Sequence, residues 1–241
     1  MTLNIGHGRG TGVHQLIQTR TKIMENAEKI AETIKQNHID ISALQEVDGF
    51  SIWNKGIDFI EFLAKNSGCP HGIWSKNVDG PGLRYGTALL SDIPYSQAVS
   101  YTFKARPFIL PKGFTTGLFC VSKEEENYIY VVSVHLAPLF PFIRKRQAEA
   151  IIETVKDIKC PIVIAGDFNC GYKKGSAIKL LEEKLNLKLW EPELPVGTFR
   201  TGKRRIDWIM ISQELDFEDY QIIDDRVSDH SAIKAIIRYY F

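Results

Sequence analysis

Polar side chains of the kind that do chemistry recur in this sequence where apolar, β-branched runs stop or start. Thr2-Leu3-Asn4 runs into a glycine-rich stretch, and Ser42-Ala43-Leu44-Gln45-Glu46 closes a second run. Val131 to Val134 ends at His135, and Ile162 to Gly166 ends at Asp167-Phe168-Asn169. Other runs carry such groups at their entrance: Arg205-Ile206-Asp207 precedes Trp208 to Ile211, and Ser228-Asp229-His230 precedes Ala232 to Ile237. In a mixed sheet the entrance of one strand lies beside the exit of an antiparallel neighbour, so all six segments are expected at one edge. That edge would gather four carboxylates (Glu46, Asp167, Asp207, Asp229), two amides (Asn4, Asn169) and two imidazoles (His135, His230). Asn4, Glu46, Asp167 and Asp229 offer hard oxygen donors, suited to Mg²⁺ or Mn²⁺. With no thiolate in the set, zinc is less well served. A cation so held can polarise a phosphoryl oxygen while a carboxylate or imidazole orients the attacking water. The chemistry implied is hydrolysis of a phosphoester.

At these residues the sequence resembles the endonuclease/exonuclease/phosphatase family, the deoxyribonuclease I-like metal-dependent phosphoesterases. The motifs that carry the resemblance are T-L-N-I, L-Q-E-V-D, Y-G-T-A-L-L-S, V-S-V-H-L, G-D-F-N, R-I-D-W-I and S-D-H-S, in family order from Asn4 to the last strand-like run. It implies a four-layer α/β sandwich with two mixed central sheets flanked by helices. It also implies that Glu46 is the principal metal ligand with Asn4 beside it, and that Asp229 supports the metal. Asp167 would orient or deprotonate the water, while Asn169 would hold that water or the phosphate. His230, oriented by Asp207, would contact the scissile phosphate. His135 would stand on the phosphate's other side, stabilising charge or assisting the leaving group. Some members pair that second imidazole with a glutamate just ahead of a strand; here the stretch is Gly82-Leu83-Arg84-Tyr85, with no carboxylate.

Substrate contacts are expected from His7 and Arg9, in a glycine-rich stretch read as a flexible loop over the site, and from Tyr85 and Arg205. Basic clusters Arg144-Lys145-Arg146, Lys173-Lys174 and Lys203-Arg204-Arg205 follow or precede the catalytic strand ends. They would give a neutral chain a positive mouth for a phosphate-rich partner: nucleic acid, a lipid head group or a soluble phosphate. The stretch 136–143, Leu-Ala-Pro-Leu-Phe-Pro-Phe-Ile, is unusually apolar for a loop beside such a site. If exposed, it suits a lipid-like leaving group or weak membrane contact. A nuclease and a phospholipid or phosphoinositide phosphoesterase are thus the enzyme alternatives. A non-catalytic binding domain on the same scaffold is the alternative of another class, and the intact motif residues argue against it.

The elements that must position these groups can be read in outline. The 241 residues carry 30 Lys+Arg against 29 Asp+Glu, net +1, so no global field recruits nucleic acid. With 44% hydrophobic and 24% charged residues, the chain belongs with soluble globules rather than disordered or fibrous sequences. No linker or composition shift divides it, so one domain over 1–241 is expected. Helical spacing of Ile23, Ala27, Ile30 and Ile34 predicts a helix over Thr21 to Asn37, and Ala148, Ile151, Ile152, Val155 and Ile158 predict a second. Strands are expected at Thr2 to Ile5, Ile39 to Leu44, Tyr85 to Leu90, Gly117 to Val121, Tyr128 to Val134, Pro161 to Ala165, Ile206 to Ile211 and Ala232 to Ile237. Many strands with helices between only some of them predict mixed sheets. Cys160 and Cys170, separated by a strand-like run, are not expected to pair, whereas a Cys69–Cys120 bridge stays open. The absence of a membrane-length apolar run and of a signal-like start leads us to expect a cytoplasmic monomer.

Overall fold

Apolar stripes and alternating strand faces leave each secondary element with a surface to bury, and the layer order follows from how they bury it. The computed structural model describes residues 1–12, 14–105, 110–124, 126–200, 204–223 and 226–239. In chain order the elements are β1 (Thr2–Asn4), α1 (Arg20–Gln36), β2 (Ile41–Asp48), α2 (Phe59–Asn66), β3 (His71–Gly80), β4 (Leu83–Ser91), β5 (Tyr95–Thr102) and β6 (Gly113–Ser122). They continue with β7 (Asn127–His135), α3 (Pro141–Val155), β8 (Ile162–Asp167), α4 (Ala177–Leu185), β9 (Lys188–Leu189), β10 (Asp207–Ile211), β11 (Leu215–Ile223) and β12 (Ala232–Tyr239). One six-stranded sheet has the order β11-β12-β1-β2-β4-β3 and the other β5-β6-β7-β8-β10-β9.

The expected stripe of α1 is buried under the first sheet together with Phe59 and Leu63 of α2. Thr19 caps α1 by accepting from the Lys22 amide, and Asp58 does the same for α2 from Glu61. Ala148, Ile151 and Val155 of α3 join Ile178 and Leu181 of α4 under the second sheet. Ile158 lies beyond the end of α3 and packs at the margin of that cluster. The inner faces of the two sheets meet through Ala43, Ile73 and Leu89 on one side and Phe119, Val131, Val163, Ala165 and Ile209 on the other. This is the four-layer α/β sandwich, with mixed sheets as expected.

Parallel pairing of β1 with β2, and of β7 with β8, sends their C-terminal ends to the same edge. Within the second sheet, His135 pairs with Asp167 and Asp167 with Asp207, so three polar side chains stand in one row across β7, β8 and β10. Gly166 makes that row possible: at φ +154°, a Cβ there would lie 2.0 Å from the Val134 carbonyl oxygen.

Two expectations are corrected. β2 does not end at Leu44 with Glu46 in the exit loop; it runs to Asp48, with the register shifting between Leu44 and Val47. Glu46 sits at φ 54° in that bulge, which re-aims its side chain. The possible Cys69–Cys120 bridge is absent, and all four cysteines are free thiols. Among the described residues no helix is long and apolar enough to cross a membrane.

Candidate active site

Asp167, at the end of β8, is the hub of the edge. Asn4 at the end of β1 donates its amide to Asp167 Oδ2 at 3.0 Å, and Asp167 Oδ1 accepts the Asn169 backbone N–H at 2.9 Å. His135 Nε2 lies 3.4 Å and His230 Nε2 3.8 Å from Asp167 Oδ2. The other His230 nitrogen, Nδ1, is 2.9 Å from Asp207 Oδ2, which also accepts from the Thr198 hydroxyl at 2.6 Å. The Nδ1 contact orients the ring, and the Phe199 ring lies tilted beside it with centroids 4.8 Å apart. Burial opposes a charge on His230, but the carboxylates of Asp207 and Asp167 outweigh it and hold the ring as imidazolium, with its pKa pushed up to about 10. Burial pushes the Asp167 carboxyl up to about 7, with the Asp207 charge adding to the rise and His230 opposing it. That value suits a proton acceptor near neutrality. His135 goes the other way: burial and then the Lys112 ammonium hold it well below the usual imidazole range, so it is neutral.

Glu46 occupies a different environment beside that hub. Its carboxylate faces Lys112 Nζ at 3.2 Å, His7 Nε2 at 3.2 Å and an Arg9 guanidinium nitrogen at 3.6 Å. Burial would raise its pKa, but His7, Lys112, His135 and Arg9 together hold it well below the usual carboxylate range. The second nitrogen of Arg9 lies 2.6 Å from Asp229 Oδ2, so one guanidinium links Glu46 and Asp229. His7 is wedged between Glu46 and Asp48, whose Oδ1 is 2.6 Å from Nδ1. Burial raises the Asp48 carboxyl.

The donor chemistry fits a hard divalent cation. Asp167, Asp207 and His230 can offer ligand atoms within 4.8 Å of one another. Glu46 and Asp229 are held to a single cationic group, which is what shared ligands require. The expected set of Asn4, Glu46 and Asp229 is therefore gathered at one edge, but Asn4 is turned to Asp167, with its carbonyl oxygen accepting from the Gly6 amide at 3.0 Å. Asn169, at φ 52°, donates its side-chain amide to the Leu136 carbonyl at 2.9 Å, tying the loop after β8 to the loop after β7.

Several expected substrate contacts are redirected inward. The glycine-rich stretch is a packed turn rather than a flexible loop: a Cβ on Gly8 would meet the Phe59 ring at 2.2 Å, and Asn26 donates to the Gly8 carbonyl. His7 is buried with its ring edge-on to Trp53 and Tyr85, 4.7 Å from each. Tyr85, 2% exposed, is a wall behind His7. Arg205 is turned inward as well. Its guanidinium lies 4.1 Å over Trp208 and donates to the carbonyls of Glu191 and Trp190 and to the Tyr220 hydroxyl. Arg9 is the expected contact that stays at the mouth. Of the basic clusters, Arg144 is buried, donating to the Ala137 and Pro138 carbonyls, while Lys145, Lys173, Lys174 and Arg204 are exposed and Lys203 lies outside the described residues. Lys112 was not foreseen. Its local sequence carries no motif, and only the pairing of Gly113 with His135 brings it to the edge.

Solved structures with this fold are numerous and distant in sequence. A family protein from Leptotrichia buccalis superposes with a TM-score of 0.73 at 18% identity, covering 99% of this chain and 98% of that one. The human nocturnin catalytic domain, with bound sulfate, gives 0.70 at 18%, covering 99% and 92%. A Bacteroides thetaiotaomicron mannosyl-6-phosphatase gives 0.70 at 17%, covering 90% and 91%. No curated protein sequence matches the chain significantly. The profile of the endonuclease/exonuclease/phosphatase family, however, matches residues 1–230, a span that runs from the first motif to His230 and holds the whole Asp167 and Glu46 neighbourhood, and the chain belongs to that family.

Proposed function

We propose that the protein is a divalent-metal-dependent phosphoesterase that cleaves phosphodiester bonds with a water oriented by Asp167. The observation that carries the reading is the contrast of buried acid–base states at one edge: an Asp167 carboxyl near neutrality, a His230 imidazolium held by Asp207, and a Glu46 held ionised. Glu46 and Asp229 would hold Mg²⁺ or Mn²⁺ where Arg9 now links them. His230 is the poorer ligand, because its ring nitrogens carry protons. When bound, the cation supplies Lewis-acid polarisation of a phosphoryl oxygen.

The chain's own residues do the rest. Asp167 takes the proton of the attacking water, with Asn4 and the Asn169 amide fixing its two oxygens. His230 meets the charge that develops on the phosphoryl oxygens, and Asp207 keeps its ring in place. Neutral His135 offers a hydrogen bond from the opposite side, and Arg9 and Lys112 are cations placed to accept a phosphate in exchange for Glu46. Relatives of this fold include a protein described as a sugar phosphatase, so a phosphomonoester is the second reading.

Hydrolysis of bis-p-nitrophenyl phosphate with Mg²⁺ or Mn²⁺ tests the proposal, beside the same assay on p-nitrophenyl phosphate. Turnover abolished by chelator and by Asp167→Asn is expected. Undiminished turnover in that variant would reject the mechanism, and preference for the monoester would select the second reading.

A further inference from the structure

The loop that leaves the site after His135 is built firmly and yet presents its apolar side chains to solvent. Its base is pinned: the Ala137 amide donates to Gln147 Oε1 at 2.8 Å, Arg144 donates to the carbonyls of Ala137 and Pro138, and Asn169 donates to that of Leu136. Its tip is not buried, with Leu139 56%, Phe140 53% and Phe142 56% exposed. Phe140 adopts φ 60°, a strained conformation for a bulky residue, and its ring lies 5.8 Å from that of Phe142. Folding gains little from aromatic rings held in water on a strained backbone. A second apolar lip follows β1 and β2 at the same edge. Leu16, Ile17, Phe50 and Ile52 are each at least half exposed, and Lys55 donates to the Leu16 carbonyl, joining the two loops.

Cations stand behind the first lip. Besides the buried Arg144, residues 136–148 hold exposed Lys145 and Arg146 and no acid, and residues 169–176 hold exposed Lys173 and Lys174 and no acid. Lys145 reaches the second of these segments, its Nζ 3.7 Å from where a Cβ on Gly175 would lie. Apolar tips with lysine and arginine behind them match a bilayer with anionic head groups, tips entering the acyl boundary and cations meeting phosphates. A second copy of the chain fits poorly, because a two-fold interface would set these lysines against themselves. Nucleic acid bases could stack on the phenylalanine rings but would leave the aliphatic tips Leu16, Ile17, Ile52 and Leu139 without a partner.

We propose that the two lips seat the protein on an anionic phospholipid surface with the catalytic edge facing the bilayer. Docking needs no catalysis; that the bilayer supplies the phosphoester rests on the phosphoesterase reading.

The test is sedimentation of the full chain with vesicles of equimolar phosphatidylcholine and phosphatidylglycerol, and with phosphatidylcholine alone, in chelator so that turnover plays no part. The wild type is expected to bind the mixed vesicles and to bind phosphatidylcholine at least about tenfold more weakly. Phe140→Ser/Phe142→Ser should lower binding by on the order of tenfold or more, as loss of two inserted aromatic side chains requires. Phe50→Ser/Ile52→Ser tests the other lip independently, should either variant fold poorly. All should keep bis-p-nitrophenyl phosphate hydrolysis. Wild type that stays in the supernatant with both vesicles, or variants that bind as wild type does, would overturn the proposal. So would a dimer in sedimentation velocity that the Phe variants dissociate. A wild type that binds vesicles but hydrolyses no phosphoester would leave docking standing and defeat the catalytic reading.

Discussion

Two carboxylates stand at the same edge of this molecule and behave in opposite ways. Glu46, in the bulge of β2, is faced by His7, Arg9 and Lys112 and is held ionised well below the usual range. Asp167, at the end of β8, is buried among Asn4, His135 and the Asp207-held His230, and its pKa climbs to about 7. Both lose water on folding. What differs is the cationic charge each receives in return: the Lys112 ammonium at 3.2 Å and the Arg9 guanidinium at 3.6 Å both face Glu46, whereas the nearest imidazolium to Asp167 is 3.8 Å away and already shared with Asp207. An edge so divided sets a permanent anion beside a carboxyl able to exchange a proton near neutrality, the division of labour that the proposed hydrolysis uses.

The comparison can be broken most severely at Asp167. Replacing it with Asn should lower kcat by on the order of a thousandfold or more in the diester assay. In the proposed mechanism the ionised form is the active one, so the rate should rise as pH increases through about 7, while the His230 imidazolium is lost only as pH passes about 10. A rate independent of pH from 5 to 9 would contradict the assignment. Glu46→Gln should act on cation affinity instead, raising the Mn²⁺ concentration for half-activity by about 10–100-fold, as activity titrations would read. Equal effects on cation requirement in both variants would erase the distinction.

Smaller effects concern stability. Arg205→Met leaves the Trp190 and Glu191 carbonyls without their donor and should cost about 2–4 kcal/mol, read as a lowered Tm, with kcat/KM per folded molecule unchanged. A selective rise in KM would restore Arg205 to the substrate site. Asp167→Asn should do the reverse. A carboxyl whose pKa is raised on folding binds more protons in the native state between its unfolded and folded pKa values, so its contribution falls as pH rises through that window. Removing it should raise Tm by a few degrees at pH 8 and by less at pH 5, about 2–4 °C per kcal/mol for a chain of this size. A lower Tm at pH 8 would mean that the native carboxylate is stabilising.

The strands that the sequence pattern announced are β1, β2, β4, β6, β7, β8, β10 and β12, all interior to their sheets; β3, β5, β9 and β11, unannounced, are the four edges. The reason is burial. An interior strand packs on both sides and both faces and must be apolar and β-branched, whereas an edge such as β5, Tyr-Ser-Gln-Ala-Val-Ser-Tyr-Thr, is exposed along its length and carries polar residues without penalty. The site divides similarly. Asp167, Asn169, Asp207, His230, His135 and Asn4 were legible because they interrupt those apolar runs at their ends.

What the amino-acid sequence determined by itself is the identity of the groups that meet and the strands that carry them, because hydrophobic periodicity and turn chemistry are local. What only the tertiary structure decided is their charge and their direction. The bulge at Glu46, the approach of Lys112 through the β6–β7 pairing, and the inward turn of His7, Tyr85 and Arg205 each depend on neighbours remote in the chain. Desolvation and Coulomb interaction, which set apart two carboxyls of nearly equal intrinsic acidity, exist only once those neighbours have packed.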